Sequence, residues 1–190
     1  MPVDLELVGP RVVLRPAGPA AVEPFWAAVR ESASQLGPWM AWCHQGYSRE
    51  EARVWLESRP AAWDRAEAFD FLVTDRASGA LLGACALTHL DHGNRRANLG
   101  YWVRTSATGR GVGTEAAALA VHYGLVDLGL GRIEIVAAVG NRPSQRVAEK
   151  LGATREGVVR NRFLVQGGYV DGVLFSLVPA DLEPVPRGPG

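Results

Sequence analysis

The stretch Gly100-Tyr-Trp-Val-Arg-Thr-Ser-Ala-Thr-Gly-Arg-Gly-Val-Gly-Thr-Glu-Ala116 decides the fold, because it reads as a strand running through clustered glycines into a helix. Glycines are required where successive backbone N–H groups must turn together toward an anion, since a Cβ blocks either the conformation or the approach. The start of the following helix adds a partial positive charge, roughly half an elementary charge. The segment therefore predicts a pyrophosphate cradle.

Several ligands use such a cradle. A nucleoside triphosphate site of the P-loop kind needs lysine after the last glycine, whereas Gly113 is followed by Thr114-Glu115. Gly111-Val-Gly113-Thr-Glu-Ala116 satisfies the loose dinucleotide fingerprint, with Glu134 about twenty residues on. Against a dinucleotide, Val103 and Gly111 lie too far apart for a tight turn, and Glu134 falls early in the next strand rather than at its carboxyl end. A surface loop without a ligand is the remaining alternative.

Downstream of the cradle, Ala117, Ala120, Val121, Gly124 and Leu128 share one helical face, closed by Gly129 or Gly131. Ile133, Ile135, Ala137 and Val139 then alternate as a strand. A short helix follows Asn141 and ends at Gly152, before strands near 154–165 and 169–178. Upstream, Phe69, Phe71 and Val73 alternate, Ser78-Gly79 turns the chain into the apolar run Leu81 to Leu90, and a further strand reaches Val103. Ser48-Arg-Glu-Glu51 is a capping box opening a helix to about Arg59. Another helix, from Pro19 to about Ser34, buries Val22, Phe25, Trp26 and Val29. Val12 and Leu14 belong to an opening hairpin or bent strand broken at Gly9-Pro10.

A chain of 190 residues suits one domain, placed at 1–180, followed by a flexible Pro/Gly-rich tail at 181–190. Twenty basic residues balance twenty acidic ones, so no long-range field favours nucleic acid or an anionic membrane. The cysteines, Cys43 and Cys85, stand outside any metal-ligand spacing, so no metal site is expected and a reducing compartment is. With no signal-like start and no run of eighteen apolar residues, the expected location is cytoplasmic.

From about Val12 to Pro179 the chain resembles the GNAT superfamily of acyl-CoA N-acyltransferases, in its RimJ/RimL-like branch. Thr108-Gly-Arg-Gly111-Val-Gly113 is similar to the family's pyrophosphate loop, with threonine where Gln or Arg usually stands first. Gly140-Asn-Arg-Pro-Ser-Gln-Arg-Val-Ala-Glu-Lys-Leu-Gly-Ala153 resembles its second cofactor segment. Gly100-Tyr101-Trp102, Thr114-Glu115-Ala116, the Glu156-Gly157 to Arg160 stretch and the run from Asp171 to Pro179 add further matches. The resemblance implies an α/β (α+β) GNAT fold: a mixed sheet of about seven strands, about four helices, and two central parallel strands that splay after Trp102 and Val103.

It also implies acetyl-CoA as cofactor, bound by Trp102, Val103, Thr108, Gly109, Arg110, Gly111, Val112, Gly113, Thr114, Asn141 and Ser144. The N–H of Val103 would polarise the thioester carbonyl, and Ser144 would donate a proton to the thiolate or orient the sulfur. Asn141 is equally suited to capping the helix behind it. The branch's glutamates do not transfer, since Asn98 and Phe163 occupy their positions. His89, His92, Asp91, Glu115 and Asp171 remain as bases, with His89 preferred because it ends a strand bordering the acceptor pocket; otherwise the amine loses its proton to water.

The resemblance implies an acceptor pocket walled by the first helical pair and the last hairpin, with Trp39, Trp42, Phe71 and Tyr169 as lining, although Trp39 and Trp42 would serve equally well to pack helices on the sheet. Without a strong base, an N-terminal α-amine, near pKa 7.7 to 8.0, is an easier acceptor than lysine, near about 10.4. The expected partner is therefore the N-terminus of a protein or peptide. A small amine (an aminoglycoside, polyamine or amino-acid derivative) is the runner-up, although no acidic cluster marks a polyamine site. A GNAT-like module that binds acyl-CoA without turnover is the other class. Members of the branch are often dimers, so a homodimer is compatible with the resemblance.

Overall fold

A computed structural model describes residues 5–165 and 167–182, so most of the expected tail, 183–190, lies outside the described residues. The strands are β1 (Leu7–Val8), β2 (Val12–Pro16), β3 (Phe69–Asp75), β4 (Leu81–Asp91), β5 (Arg96–Val103), β6 (Arg132–Ala138), β7 (Thr154–Val165) and β8 (Gly168–Leu177). They form one 8-stranded sheet in the order β1-β2-β3-β4-β5-β6-β8-β7. The opening segment is a paired hairpin, Leu7 opposite Leu14, which accounts for the extra strand over the expected count.

Two helices, α1 (Val22–Leu36) and α2 (Arg49–Asp64), join a cluster with Leu72, Ala84 and Trp102 of the sheet. Two more, α3 (Val112–His122) and α4 (Arg142–Lys150), pack with Phe71, Cys85, Leu87 and Leu99. Strand alternation thus sends even and odd residues of β3 to different layers. Phe71, fully buried, lies edge-on to Trp63 and Tyr123; burial of such a side chain stabilises by about 1.5–3 kcal/mol.

The helix expected to stop near Arg59 continues through Pro60 to Asp64. Pro60 donates no bond to Leu56, which should break the helix. The last turn holds because Ala62 and Trp63 are buried, Trp63 against Phe69 and Phe71. Tertiary burial here outweighs a local helix breaker. Ser48 and Glu51 form the expected capping box at the start.

Among the described residues only β5 and β6 pair in parallel, and only through Arg96↔Arg132, Ala97↔Ile133 and Asn98↔Glu134. β5 stays paired to β4 as far as Val103, while β6 stays paired to β8 as far as Ala138. The sheet therefore forks at Leu99, earlier than the expected point after Trp102 and Val103. Side-chain charges clamp the closed end. Arg96 and Arg132 both reach Glu134, Arg132 grips Glu156 of β7 through two bonds of 2.6 Å, and Ser176 of β8 donates to Glu156 at 2.6 Å.

Candidate active site

The glycine loop opens on the forked end. After β5, Thr105–Ala107 make one tight turn, and Gly109 (φ 75°) and Gly111 (φ 79°) take left-handed conformations that a Cβ disfavours. Gly111 is the N-cap of α3 and supplies no side-chain cap. The consecutive amides of Gly109, Arg110, Gly111, Val112, Gly113 and Thr114 donate to no acceptor among the described residues. A row of free amides at a helix start has the chemistry of a diphosphate receptor.

Arg11, which the sequence does not single out, reaches this loop from the opening hairpin. Its Nη1 donates to the carbonyl of Arg110 at 2.7 Å and its Nε to Glu115 at 2.8 Å. Glu115 also accepts from the backbone N–H groups of Arg11 and Val12, so it fastens α3 to β2. Arg11 thereby places a cation beside a cradle whose first position is Thr108. The Thr108 hydroxyl itself turns back to donate to the carbonyl of Thr105 at 2.9 Å.

Opposite the loop, α4 starts at the end of β6. The Asn141 side-chain Oδ1 accepts from the N–H of Ser144, and the Gln145 side-chain amide donates to the carbonyls of Ala138 and Val139. Tyr101 bridges the fork from β5: its hydroxyl donates to the Ser144 carbonyl at 2.8 Å and accepts from Ser144 Oγ at 3.2 Å. Burial pushes the Tyr101 phenol up to about 12, so it is protonated near neutrality and forms a hydroxyl pair with Ser144. Asn141 therefore does cap the helix, and Ser144 faces the fork through Tyr101.

A cavity of about 560 Å³ lies against the α1/α2 face, walled by Phe25, Met40, Trp42, Tyr47, Trp55 and Trp102. Trp42 stands edge-on to Tyr47 and Trp102, and Phe25 stacks on Trp55 at 4.8 Å. The cavity also receives His44, whose Nε2 lies 2.9 Å from Glu51, and Asp70. Its floor is Ala84, Ala86 and Gly100.

Of the four expected acceptor-lining aromatics, Trp42 alone lines this cavity. Trp39 packs instead over Gly140, at 3.3 Å from where a Cβ would stand. Phe71 points into the opposite layer, and Tyr169 is 69% exposed on β8. His89 sits at the bulge of β4 with φ 51°, exposed and beside Thr88, and is not among the cavity residues. The other expected bases have structural partners: Asp91 binds Asn94 and Arg96, Glu115 binds Arg11, and Asp171 accepts from the N–H of Asn161. His92 is exposed in the turn after β4. Among the described residues no cluster of ligating side chains could hold a metal ion. No helix among them is long and apolar enough to cross a membrane.

Comparison with known proteins agrees with this geometry. The family description "Acetyltransferase (GNAT) domain" matches residues 11–154. YdaF of Bacillus subtilis (strain 168), named as a candidate ribosomal N-acetyltransferase, is 30% identical over 179 residues, covering 93% of this chain and 96% of its own. A solved structure from Vibrio cholerae, described as a candidate ribosomal-protein-serine acetyltransferase, superposes with a TM-score of 0.80 at 32% identity, over 94% of this chain and 100% of that one. RimL, a ribosomal L7/L12 α-N-protein acetyltransferase solved with coenzyme A, shares the fold at a TM-score of 0.85 and 21% identity, over 92% of this chain and 98% of its own. Free amides at the head of α3, the forked sheet beside them and the family match over most of the chain converge: this protein belongs to the GNAT acetyltransferase family and is an acetyl-CoA-dependent N-acetyltransferase of RimJ/RimL-like type.

Proposed function

We propose that the chain acetylates the N-terminal α-amine of a protein or peptide, by direct transfer with donor and acceptor bound together. The observation that carries this reading is the meeting of the glycine loop, the open edge of β5 and the aromatic cavity around Gly100 to Trp102. The amides from Gly109 to Thr114 would hold the cofactor's diphosphate, and the unpaired β5 edge at Trp102 and Val103 would bond its pantetheine arm as an added strand does. When bound, acetyl-CoA supplies a thioester carbonyl for the amine and a thiol as leaving group. The N–H of Val103 would polarise that carbonyl as the C–N bond forms; as the C–S bond breaks, the Ser144–Tyr101 hydroxyl pair would give a proton at the sulfur and regain the one shed by the amide nitrogen.

The acceptor enters through the cavity beside half-exposed Trp42. Support for an α-amine comes from its low pKa and from the ribosomal-protein names of the relatives. A small amine, such as an aminoglycoside or amino-acid derivative, is the second reading, favoured by a cavity volume within the range of small-ligand sites. Release of free thiol from acetyl-CoA tests both. Peptides with a free N-terminus should give the highest kcat/KM, above N-blocked lysine peptides, polyamines and aminoglycosides. Turnover confined to sugars, polyamines or lysine side chains would remove the α-amine.

A further inference from the structure

Asp70 is the second residue of β3, between Phe69 and Phe71, only 6% exposed, yet it lines the aromatic cavity. A carboxylate in a sheet's interior is costly unless paired. Its pair is Arg59 of α2, whose Nη1 donates to Oδ2 at 3.1 Å. Oδ1 accepts from no group among the described residues. No fully buried side-chain oxygen or nitrogen there lacks a partner, so Oδ1 keeps access to open space, and the space beside it is the cavity.

Asp70 also stands at the head of a trough. Its neighbours across the sheet are Ala86 on β4 and Gly100 on β5. A Cβ on Gly100 would meet nothing within 4 Å. The row Asp70, Ala86, Gly100 thus leaves a clear path of two strand spacings, about 10 Å, from the carboxylate to the strand that edges the fork. Rings of Phe25, Trp42, Tyr47, Trp55 and Trp102 surround it, and among the described residues no lysine or arginine lines the cavity. Aromatic faces and an unshared carboxylate oxygen together select a cation.

We propose that Asp70 is the receptor and general base for the acceptor amine: Oδ1 holds the ammonium in the trough over Ala86 and Gly100, takes one proton from it, and returns that proton to solvent after turnover. The proposal deepens the α-amine reading and rests on it for the choice of substrate. Burial moves the Asp70 carboxyl above the ordinary carboxylate range while Arg59 pulls it back, which suits a base. The other groups facing it are the Cys85 thiol on β4, pushed up by burial, the Tyr101 and Tyr47 phenols, both raised to about 12, and the His44–Glu51 pair on the far wall.

The test compares Asp70→Asn, the double variant Asp70→Asn/Arg59→Gln, and Arg59→Gln alone, using a short peptide with a free N-terminus. Both Asp70 variants should lose about 100-fold in kcat/KM and the acid limb of its pH profile. Calorimetry without acetyl-CoA should show the peptide binding about tenfold more weakly, while acetyl-CoA binding without peptide stays within about twofold. Arg59→Gln keeps the carboxylate and removes its cation, so the acid limb should move to higher pH by about one unit; this variant serves if the others fail to fold. An unchanged limb in Arg59→Gln, or wild-type kcat/KM in either Asp70 variant, overturns the proposal. Wild-type turnover of some other amine but no α-amine would instead sink the acceptor reading, and the same variants would then be read on that amine.

Discussion

The proposed cofactor cradle and the proposed acceptor cavity lie on either side of β5 and are built from different materials. The cradle is main chain: consecutive amides of a single segment, Gly109 to Thr114, shaped by two left-handed glycines. The cavity is side chain, gathered from α1, the 40–47 loop, α2 and three strands. A site made of amides survives changes of side chain but fails when φ changes. One made of side chains tolerates backbone adjustment and fails when a single slot is filled.

The largest effect expected from this contrast is on the cradle. Gly111→Val must hold φ 79° with a branched side chain, its Cβ about 2.9 Å from the Arg11 guanidinium. The left-handed conformation costs a non-glycine residue about 1–2 kcal/mol, so the competent loop should be depopulated and acetyl-CoA should bind about 5- to 30-fold more weakly. Calorimetry with coenzyme A reads this directly, and unchanged affinity would show that the amides are not the receptor. The cavity should respond in the opposite sense. Gly100→Leu projects into the open space above the sheet; kcat/KM for the peptide acceptor should fall about tenfold while acetyl-CoA affinity holds. A loss of both would mean that the two sites share the strand more closely than the contrast allows.

The smallest effect belongs to the closed end of the fork, which touches neither site. Glu156 is pulled down to about 2 by Arg132 and by the Ser176 hydroxyl. A carboxylate with a lowered folded-state pKa stabilises above its unfolded value, near about 4.3, and that contribution fades as pH falls toward the folded value. Both side chains are partly solvated, which limits the pair to about 1 kcal/mol. Glu156→Gln should therefore lower Tm by about 2–4 °C at pH 7, with a smaller gap at pH 3 and no change in either KM. A gap that grows in acid would mean that another carboxylate dominates.

The same contrast governs what can be read from sequence. The glycine loop was legible because a turn of this kind needs glycines at fixed local spacing, as at Gly109, Gly111 and Gly113. The helices and alternating strands were legible for the same local reason. Asp70 was not, because a polar residue between Phe69 and Phe71 reads as the solvent side of a strand, whereas both faces of β3 are covered. Its partner Arg59 stands just before Pro60, where the helix was expected to stop. Trp39 and Trp42 differ by less than a helical turn in sequence, and only the loop geometry sends one to Gly140 and the other to the cavity. Phe71, expected in the acceptor lining from the family resemblance, packs in the opposite layer with Trp63 and Tyr123, and the β4 bulge turns His89 out.

The charged rungs from Arg96 through Glu134 and Arg132 to Glu156 give the fork a fixed floor. Anything sliding in from the glycine end meets a stop at Asn98 and Glu134, where pairing resumes. For the proposed cofactor site, penetration depth would then be a ruler built into the sheet: substitutions in the loop would change how tightly the ligand is held, but where its reactive end comes to rest would be set from below.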